Sequence, residues 1–209
     1  MIHIESYILL KEYQTNTYLL FDDVSKEAYL IDPAFPALEL LKTILDRQLE
    51  VKLIINTHGH GDHIGGNDFF AGQFGCGVAI HADDAGMLTD DRKNLSLYMG
   101  TELKMQKAKV LLYESSELKL GSEKVKVIHT PGHTRGSICL LVQNYLISGD
   151  TLFEQSIGRT DFPGGDHGMI INSIKNKLFT LPDEVIVYPG HGPVTSIGLE
   201  KATNPFVRG

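Results

Sequence analysis

Thr57-His58-Gly59-His60-Gly61-Asp62-His63 carries three imidazoles and one carboxylate within six positions and is the most informative stretch of the chain. His58 and His60 alternate, so both can face one metal ion, while Asp62 and His63 can face a second ion beside it. Neutral imidazole and carboxylate together suit zinc, iron or manganese. The two glycines between them lack a Cβ, which permits the tight turn that such a geometry requires.

The surroundings of this stretch place it at the end of a buried strand. Residues 51–56 form a short apolar run rich in β-branched residues, which is typical of a buried strand. Functional groups often lie on loops that a rigid scaffold positions. Three further ligand-type residues follow strand-like runs in the same way: His133 after 124–128, Asp150 after 145–147 and His191 after 184–187. Four strand ends bearing His or Asp predict one shared metal site.

The chain resembles the metallo-β-lactamase superfamily through its His-x-His-x-Asp-His motif and the later His133, Asp150 and His191. Within that superfamily it is most similar to the short form of the glyoxalase II-like hydrolases. Three segments carry this likeness: 129–134, 148–153 and 158–166. The resemblance implies an α/β (α+β) fold, a four-layer αββα sandwich of two mixed β-sheets with helices outside. It also implies a single domain over residues 1–209, without the C-terminal helical domain of full-length glyoxalase II.

A binuclear metal site follows from the same resemblance. Two divalent ions are expected, with zinc favoured and iron or manganese as the alternatives. Three histidines are assigned to the first ion, one aspartate and two histidines to the second, and one further carboxylate bridges both. In that order the ligands are His58, His60 and His133; Asp62, His63 and His191; and Asp150.

Such a site predicts a hydrolase. Two divalent ions about 3.5–4 Å apart can share a water and lower its pKa towards ~7, which provides a bridging hydroxide as the nucleophile. Asp62 and Asp150 are the predicted catalytic residues: Asp150 bridges the ions, and Asp62 orients the hydroxide or takes its proton. The predicted substrate is a small-molecule thioester such as S-lactoylglutathione, because thiolate is a good leaving group.

Arg159 is the predicted substrate-binding residue. It follows Asp150 by nine positions, and a guanidinium on that loop can pair with a substrate carboxylate. The alternative is an ion pair within the loop, with Asp161 or Asp166. Residues 84–107 can form a lid or rim over the site, although nothing in them identifies a ligand.

Three other functions are also considered. Persulfide dioxygenases share the fold and a segment like Gly158-Arg159-Thr160-Asp161-Phe162, and they hold one iron with residues equivalent to His58, His133 and Asp150. The continuation at 163–166 is closer to the short hydrolases, which ranks this function second. β-Lactam hydrolysis ranks third. A non-catalytic metal-binding protein is the last alternative, but structural zinc sites are usually closed by four ligands.

Composition narrows the class of partner. The 209-residue chain is 42% hydrophobic and carries a net charge of −7, with no run of Lys or Arg, so nucleic acid is not expected as a partner. No apolar run is long enough to span a membrane and the N-terminus lacks the pattern of a signal peptide, which predicts a cytoplasmic protein without membrane contact. The sequence leaves the oligomeric state and the acyl group open.

Periodicity predicts the order of the elements. Strands are expected at 2–10, 16–22, 27–32, 77–81 and 184–188, with several more over 109–148. Helices are expected at 36–48, 67–74 and 168–179, with a short one from Ala82. Residues 90–107 show no regular pattern. The remaining histidines are expected to be structural or solvent-exposed rather than ligands: His3, His81, His129 and His167.

Overall fold

Strand β2 (Thr15–Asp22) shows how the sequence produces layers, because all of its residues are buried. Side chains alternate across a strand. Here Tyr18 and Leu20 enter one apolar core, while Leu19 and Phe21 enter another. A strand that is apolar on both faces needs a covering layer on each side.

The computed structural model describes residues 1–207 and contains two six-stranded sheets that provide these layers. In spatial order the first sheet consists of β1 (Ile2–Leu10), β2, β3 (Glu27–Ile31), β4 (Glu50–Ile55), β5 (Gly77–His81) and β6 (Val110–Leu112). The second consists of β14 (Thr195–Ser196), β13 (Ile186–Pro189), β10 (Tyr145–Gly149), β9 (Ile138–Val142), β8 (Glu123–His129) and β7 (Glu117–Leu120). A separate hairpin pairs β11 (Leu152–Phe153) with β12 (Ser156–Ile157).

Both sheets are mixed. In the first sheet β1, β2 and β3 pair antiparallel, and β3 to β6 pair parallel. In the second sheet the β10–β13 pair is parallel, and the other neighbours are antiparallel. The α-helices are α1 (Leu38–Asp46), α2 (Gly61–Ile64), α3 (Asn67–Phe74), α4 (His167–Ser173) and α5 (Ile197–Thr203).

Three apolar clusters define four layers. The central cluster joins the facing sides of the two sheets, with Ile31 and Ile55 from the first against Leu140 and Ile147 from the second. A second cluster packs α1 and α3 on the outer side of the first sheet. A third packs α4 and α5 on the outer side of the second sheet. The predicted αββα sandwich of two mixed sheets is therefore confirmed.

Local differences from the predicted elements have local causes. The helix predicted at 168–179 begins at His167, because Asp166 caps it by accepting the Met169 N–H at 2.8 Å. It continues as a π-helical turn over Ile174–Leu178. The segment from Ala82 is a 3₁₀-helix. Strands β11, β12 and β14 escape prediction because two residues are too few to show alternation.

Among residues 1–207, no helix combines the length and apolar character that crossing a bilayer demands.

Two neighbouring residues of α1 test how this helix packs on the first sheet. Ile44 is fully buried, whereas Leu45 is 58% exposed. We expect Ile44→Ala to lower the free energy of unfolding by about 2–5 kcal/mol, because it leaves a cavity in the core. Leu45→Ala is the matched control, with an expected change within about 0.5 kcal/mol. Urea denaturation of both variants measures the difference, and equal losses would show that the helix is oriented otherwise.

Candidate metal centre

The His58–His63 stretch and the three later residues meet at one end of the sandwich. His58 and His60 lie in the turn that follows β4, and Asp62 and His63 lie in the next element, helix α2. The other three follow strands of the second sheet: His133 after β8, Asp150 after β10 and His191 after β13. The site is thus assembled from both sheets, as expected when strand ends position functional groups on loops.

Three imidazoles form the first group. The Nδ1 atom of His60 lies 3.0 Å from Nε2 of His58 and 3.0 Å from Nε2 of His133. All three side chains are buried. Three ring nitrogens that converge on one point have the arrangement of a metal-ligand set.

The second group combines two imidazoles with one carboxylate. Nε2 of His63 lies 3.3 Å from Nε2 of His191. Oδ2 of Asp62 lies 3.4 Å from Nε2 of His191 and 3.7 Å from Nε2 of His63. These three donors also lie close enough to one another to hold a single ion.

Asp150 lies between the two groups. Its Oδ2 is 3.5 Å from Nε2 of His133 and 3.4 Å from Nε2 of His191, and its Oδ1 is 3.5 Å from Nε2 of His63. Within residues 1–207, buried Oδ1 accepts no hydrogen bond. A buried carboxylate oxygen without a partner is costly, so its position between converging nitrogens fits a carboxylate that bridges two cations.

Hydrogen bonds outside the cluster direct the imidazole lone pairs inward. The Nδ1–H of His133 donates to the Arg159 carbonyl at 2.7 Å, and that of His191 donates to the Tyr13 carbonyl at 2.9 Å. Because a carbonyl only accepts, Nδ1 of each ring carries a proton, and Nε2 is the nitrogen that faces the cluster. Such outer partners fix the tautomer of metal-binding histidines, so the residues present fit a pair of metal ions.

The two groups differ in their protonation without metal. Burial lowers the pKa of His58 well below its usual value and that of His60 to about 3. Burial also acts to lower the pKa of His63, but the neighbouring carboxylates raise it to about 9. The same opposition raises the pKa of His191 to about 11. At neutral pH His58 and His60 are therefore neutral, whereas protons on His63 and His191 balance the carboxylates of the second group.

Asp32 is a site residue that the sequence analysis missed. Its carboxylate accepts the Thr57 N–H at 2.8 Å, the Thr57 hydroxyl at 2.6 Å and the Nδ1–H of His63 at 3.0 Å. It therefore orients His63 and fastens the start of residues 57–63, here called the metal loop, to the end of β3. The signal was present, because Asp32 follows the apolar strand Tyr29-Leu30-Ile31 in the same way as the predicted ligands follow theirs.

The glycines of the metal loop serve a purpose other than the predicted tight turn. Neither Gly59 nor Gly61 has the left-handed backbone that favours glycine. A Cβ on Gly59 would lie 2.6 Å from Cβ of Met87, and one on Gly61 would lie 2.9 Å from Cβ of Ser96. The missing Cβ atoms therefore allow the segment around residues 87–96 to pack against the metal loop.

A cavity of about 760 Å³ opens above the two groups. Its base includes His60, Asp62, His133, Asp150 and His191. Its walls are mostly aromatic or aliphatic, and they include Tyr13, Leu95, Tyr98, Met99, Phe153, Ile157 and Phe162. A mostly apolar cavity with a few convergent polar groups is typical of a site for a small molecule.

Arg159 lines this cavity, but its guanidinium pairs with a carboxylate of its own loop. Its Nε and Nη2 each donate to the Asp161 carboxylate at 2.7 Å, and its Cζ lies 3.8 Å from the centroid of the Phe162 ring. Asp166, the other partner considered, caps α4 instead. Of the two alternatives, the structure shows the ion pair within the loop, and contact between Arg159 and a substrate stays a prediction.

A third cluster of ligand-type residues lies outside the cavity. His81, Asp83 and His129 place potential ligand atoms near one another. The rings of His81 and His129 stack face to face, with centroids 4.0 Å apart and planes at 14°, so their in-plane lone pairs do not converge. His81 accepts the Asp83 N–H at the start of the 3₁₀-helix, and His129 donates to the Arg135 carbonyl. These contacts agree with the structural roles expected for both histidines.

Comparison with known proteins places the chain in a family. The profile described as "Metallo-beta-lactamase superfamily" matches residues 10–191, which covers most of the chain and contains all seven predicted ligands. The chain belongs to the metallo-β-lactamase superfamily.

Relatives in this superfamily differ in what is known of them. An uncharacterized protein of Mycobacterium leprae is 40% identical over 206 residues, with 94% of each chain covered. The protein named hydroxyacylglutathione hydrolase GloC of Haemophilus influenzae is 34% identical over 206 residues, with 93% of each chain covered. The superfamily is therefore shown, whereas the likeness to glyoxalase II is supported by one named relative among those compared.

Solved structures of proteins with different names share the fold of this chain. The crystal structure of BLEG-1 B3 metallo-beta-lactamase superposes with a TM-score of 0.93, at 39% identity, and the match covers 99% of this chain and 100% of that one. That of ETHE1 from Myxococcus xanthus has a TM-score of 0.79, at 31% identity over 97% of this chain and 83% of that one. The structure of TTHA1623 in a di-iron-bound form has a TM-score of 0.79, at 34% identity, and the match covers 93% of this chain and 96% of that one.

Removing the Asp32 carboxylate is expected to weaken metal binding. Asp32→Asn keeps the size of the side chain but replaces an acceptor-only carboxylate with an amide, which weakens the hold on the His63 tautomer. We expect a loss of about 10- to 100-fold in zinc affinity at the second group, measured by competition with a chromophoric chelator. Asp46→Asn, at an exposed position of α1, is the control. Unchanged affinity in Asp32→Asn would show that this carboxylate only supports the fold.

Zinc binding at the second group is expected to weaken as the pH falls. The raised pKa values of His63 and His191, about 9 and about 11, mean that protons compete with the metal at neutral pH. The lowered pKa values of His58 and His60, the latter about 3, mean that protons compete little with the metal for these two imidazoles. Calorimetric titration at pH 6.5 and pH 8 in two buffers counts the protons released. Equal proton release from both binding steps would contradict this difference.

Proposed function

We propose that this chain is a binuclear metallohydrolase that cleaves a thioester, with S-lactoylglutathione as the first candidate. The observation that carries the proposal is the pair of donor groups with the Asp150 carboxylate between them. A closed structural zinc site uses four ligands around one ion. Here seven donors form two incomplete sets at the base of an open cavity, which leaves room for water and substrate.

The metal ions would be divalent, with zinc as the first choice. Bound in the two groups, they would supply a water of lowered pKa and polarise a carbonyl. A di-iron form of a structural relative supports two ions per site and keeps iron as an alternative. The donor set, imidazole with carboxylate and no thiolate, suits zinc, iron and manganese alike.

Asp62 is the residue proposed to hold or accept a proton during the reaction. Burial acts to raise its pKa, but the imidazoles of His63 and His191 hold that pKa below its usual value, so the carboxylate is ionised. It lines the cavity, where it can orient an attacking water. Asp150 is buried more deeply, and its role is to join the two donor groups.

The cavity walls suit the rest of the substrate. Their apolar side chains exclude water from the reacting carbonyl and leave space for an acyl group and part of its carrier. The leaving thiolate needs little protonation, so the site requires no further acid. The relative named hydroxyacylglutathione hydrolase GloC supports a glutathione thioester over other thioesters. The acidic chain favours such a small molecule over nucleic acid.

Hydrolysis of S-lactoylglutathione by the zinc-loaded protein tests the proposal. His133→Ala removes one nitrogen of the first group, and we expect kcat/KM to fall by at least about 100-fold, or ~2.7 kcal/mol. His129→Ala is the matched control, because this histidine lies in the same segment but outside the cavity, and it is expected to keep activity within a few-fold. No turnover by folded, metal-filled wild-type protein would overturn the thioesterase proposal.

A persulfide dioxygenase is the second candidate. The likeness to ETHE1 from Myxococcus xanthus supports it, and the ligands that such an enzyme needs, His58, His133 and Asp150, are all present in the cluster. The second donor group argues against it, because a single iron leaves Asp62, His63 and His191 without a metal. Oxygen consumption by the iron-loaded protein with glutathione persulfide distinguishes it from hydrolysis.

β-Lactam hydrolysis gains support from the structural comparison. The likeness to the protein named BLEG-1 B3 metallo-beta-lactamase extends over the full length of both chains. The cavity alone does not separate this activity from thioester hydrolysis, since both reactions attack a carbonyl. Comparing kcat/KM for a chromogenic cephalosporin and for S-lactoylglutathione ranks the two activities.

A further inference from the structure

Residues 88–105 form a loop whose ends are joined, here called the rim loop. The Met105 N–H donates to the Leu88 carbonyl at 2.7 Å, which closes the loop at its base. Inside it, the Leu103 N–H donates to the Ser96 hydroxyl at 2.9 Å. Compact surface loops with neighbouring ends and internal hydrogen bonds frequently carry function.

Asn94 fastens the rim loop to the metal loop. Its carbonyl accepts the Gly61 N–H at 2.7 Å. Its side-chain amide is fully buried and donates to the carbonyls of Met87 and Leu103 at 3.0 Å and 2.8 Å. The rim loop therefore has a defined position relative to the metal ligands, and the residues beside Asn94 share that position.

Arg92, two residues before Asn94, lines the cavity with an exposed side chain. The two aspartates next to it have other partners. The Asp90 carboxylate accepts backbone N–H groups, and its Oδ2 lies 3.6 Å from Nζ of Lys93. Oδ2 of Asp91 lies 3.0 Å from Nζ of Lys104. In the described part of the chain, no carboxylate or carbonyl pairs with the Arg92 guanidinium. The other arginine of the cavity, Arg159, is already bound by Asp161 through two hydrogen bonds.

An apolar surface accompanies this cation. Leu95, Tyr98 and Met99 belong to the same rim loop and line the same cavity. The cavity thus has the candidate metal ligands at its base and an apolar wall beside them. It also contains the Arg92 guanidinium, which pairs with no carboxylate or carbonyl of residues 1–207. A guanidinium recognises a carboxylate through two parallel N–H donors, which gives both charge and geometry.

We propose that Arg92 binds a carboxylate that the substrate carries on its thiol part, away from the thioester. This inference rests on the proposed thioesterase function and specifies its substrate class: a thioester of an anionic thiol, with an acyl group packed on apolar walls. Arg159 stabilises its own loop by pairing with Asp161, and Arg92 binds the carboxylate of the substrate.

Comparison of a charged and a neutral thioester tests the inference. The zinc-loaded protein is assayed with S-lactoylglutathione and with the lactoyl thioester of N-acetylcysteamine, which has no carboxylate. We expect Arg92→Gln to raise KM for the glutathione thioester about 10-fold with kcat within about two-fold, because the contact is equal in ground and transition states. KM for the neutral thioester is expected to stay the same.

Two further variants serve as controls. Lys93→Gln removes the same charge from the next residue, which does not line this cavity, and is expected to leave both KM values unchanged. Arg92→Lys keeps the charge without the paired donors and is expected to recover part of the loss. Equilibrium binding of S-methylglutathione, an unreactive probe, gives a readout without turnover, and Arg92→Gln is expected to weaken it about 10-fold.

The outcomes separate the two proposals. If the wild-type protein hydrolyses both thioesters and Arg92→Gln leaves KM and probe binding unchanged, the role of Arg92 is wrong and the thioesterase function stands. If neither thioester is hydrolysed but Arg92→Gln weakens probe binding, the recognition of a carboxylate by Arg92 stands and the thioesterase function is wrong. An equal rise of KM for the charged and neutral thioesters would show that Arg92 only supports the rim loop, which also overturns the inference.

Discussion

Two carboxylates, Asp62 and the buried Asp150, are packed among five imidazoles, and the architecture of the molecule serves to hold this cluster together. Asp150 is only 8% exposed, and one of its oxygens has no hydrogen-bond partner within residues 1–207. Buried charge is costly unless a counter-charge is close. Protons on His63 and His191 supply that charge in the metal-free protein, and divalent ions suit the same position. The fold therefore has to hold seven donors close together against their mutual repulsion.

The sandwich meets this constraint by joining loops from both sheets. The loop that carries His191 is fastened to the first sheet, because the hydroxyl of Tyr18 and the amide of Asn16 donate to the Pro189 carbonyl at 2.6 Å and 3.0 Å. Asp32, at the end of β3, holds the metal loop in the same way. Outer hydrogen bonds to backbone carbonyls then fix the ring orientations. Rigidity comes from the layers, and the chemistry lies on the loops that they hold.

Substrate choice depends on a different part of the molecule. Proteins similar to this chain carry the names hydroxyacylglutathione hydrolase GloC, BLEG-1 B3 metallo-beta-lactamase and ETHE1, so neither the fold nor the candidate metal ligands identify a substrate. The rim loop and the hairpin of β11 and β12 form much of the cavity wall. Since these segments contribute charge and shape without binding metal, they can change while the metal ligands stay the same.

From the sequence came a mixture of α and β elements and the seven residues of the donor cluster, while the resemblance to a known superfamily implied the sandwich. Each predicted ligand follows an apolar strand, and both the strand and the polar turn after it are local patterns that a sequence displays directly. The folded chain was needed to show that Arg159 pairs with Asp161, that the Arg92 guanidinium has no partner within residues 1–207, and that Gly59 and Gly61 make room for the rim loop. These facts depend on contacts between segments that are distant in sequence or on side-chain directions within a loop. No periodicity reports such contacts, because they arise only when the chain is packed.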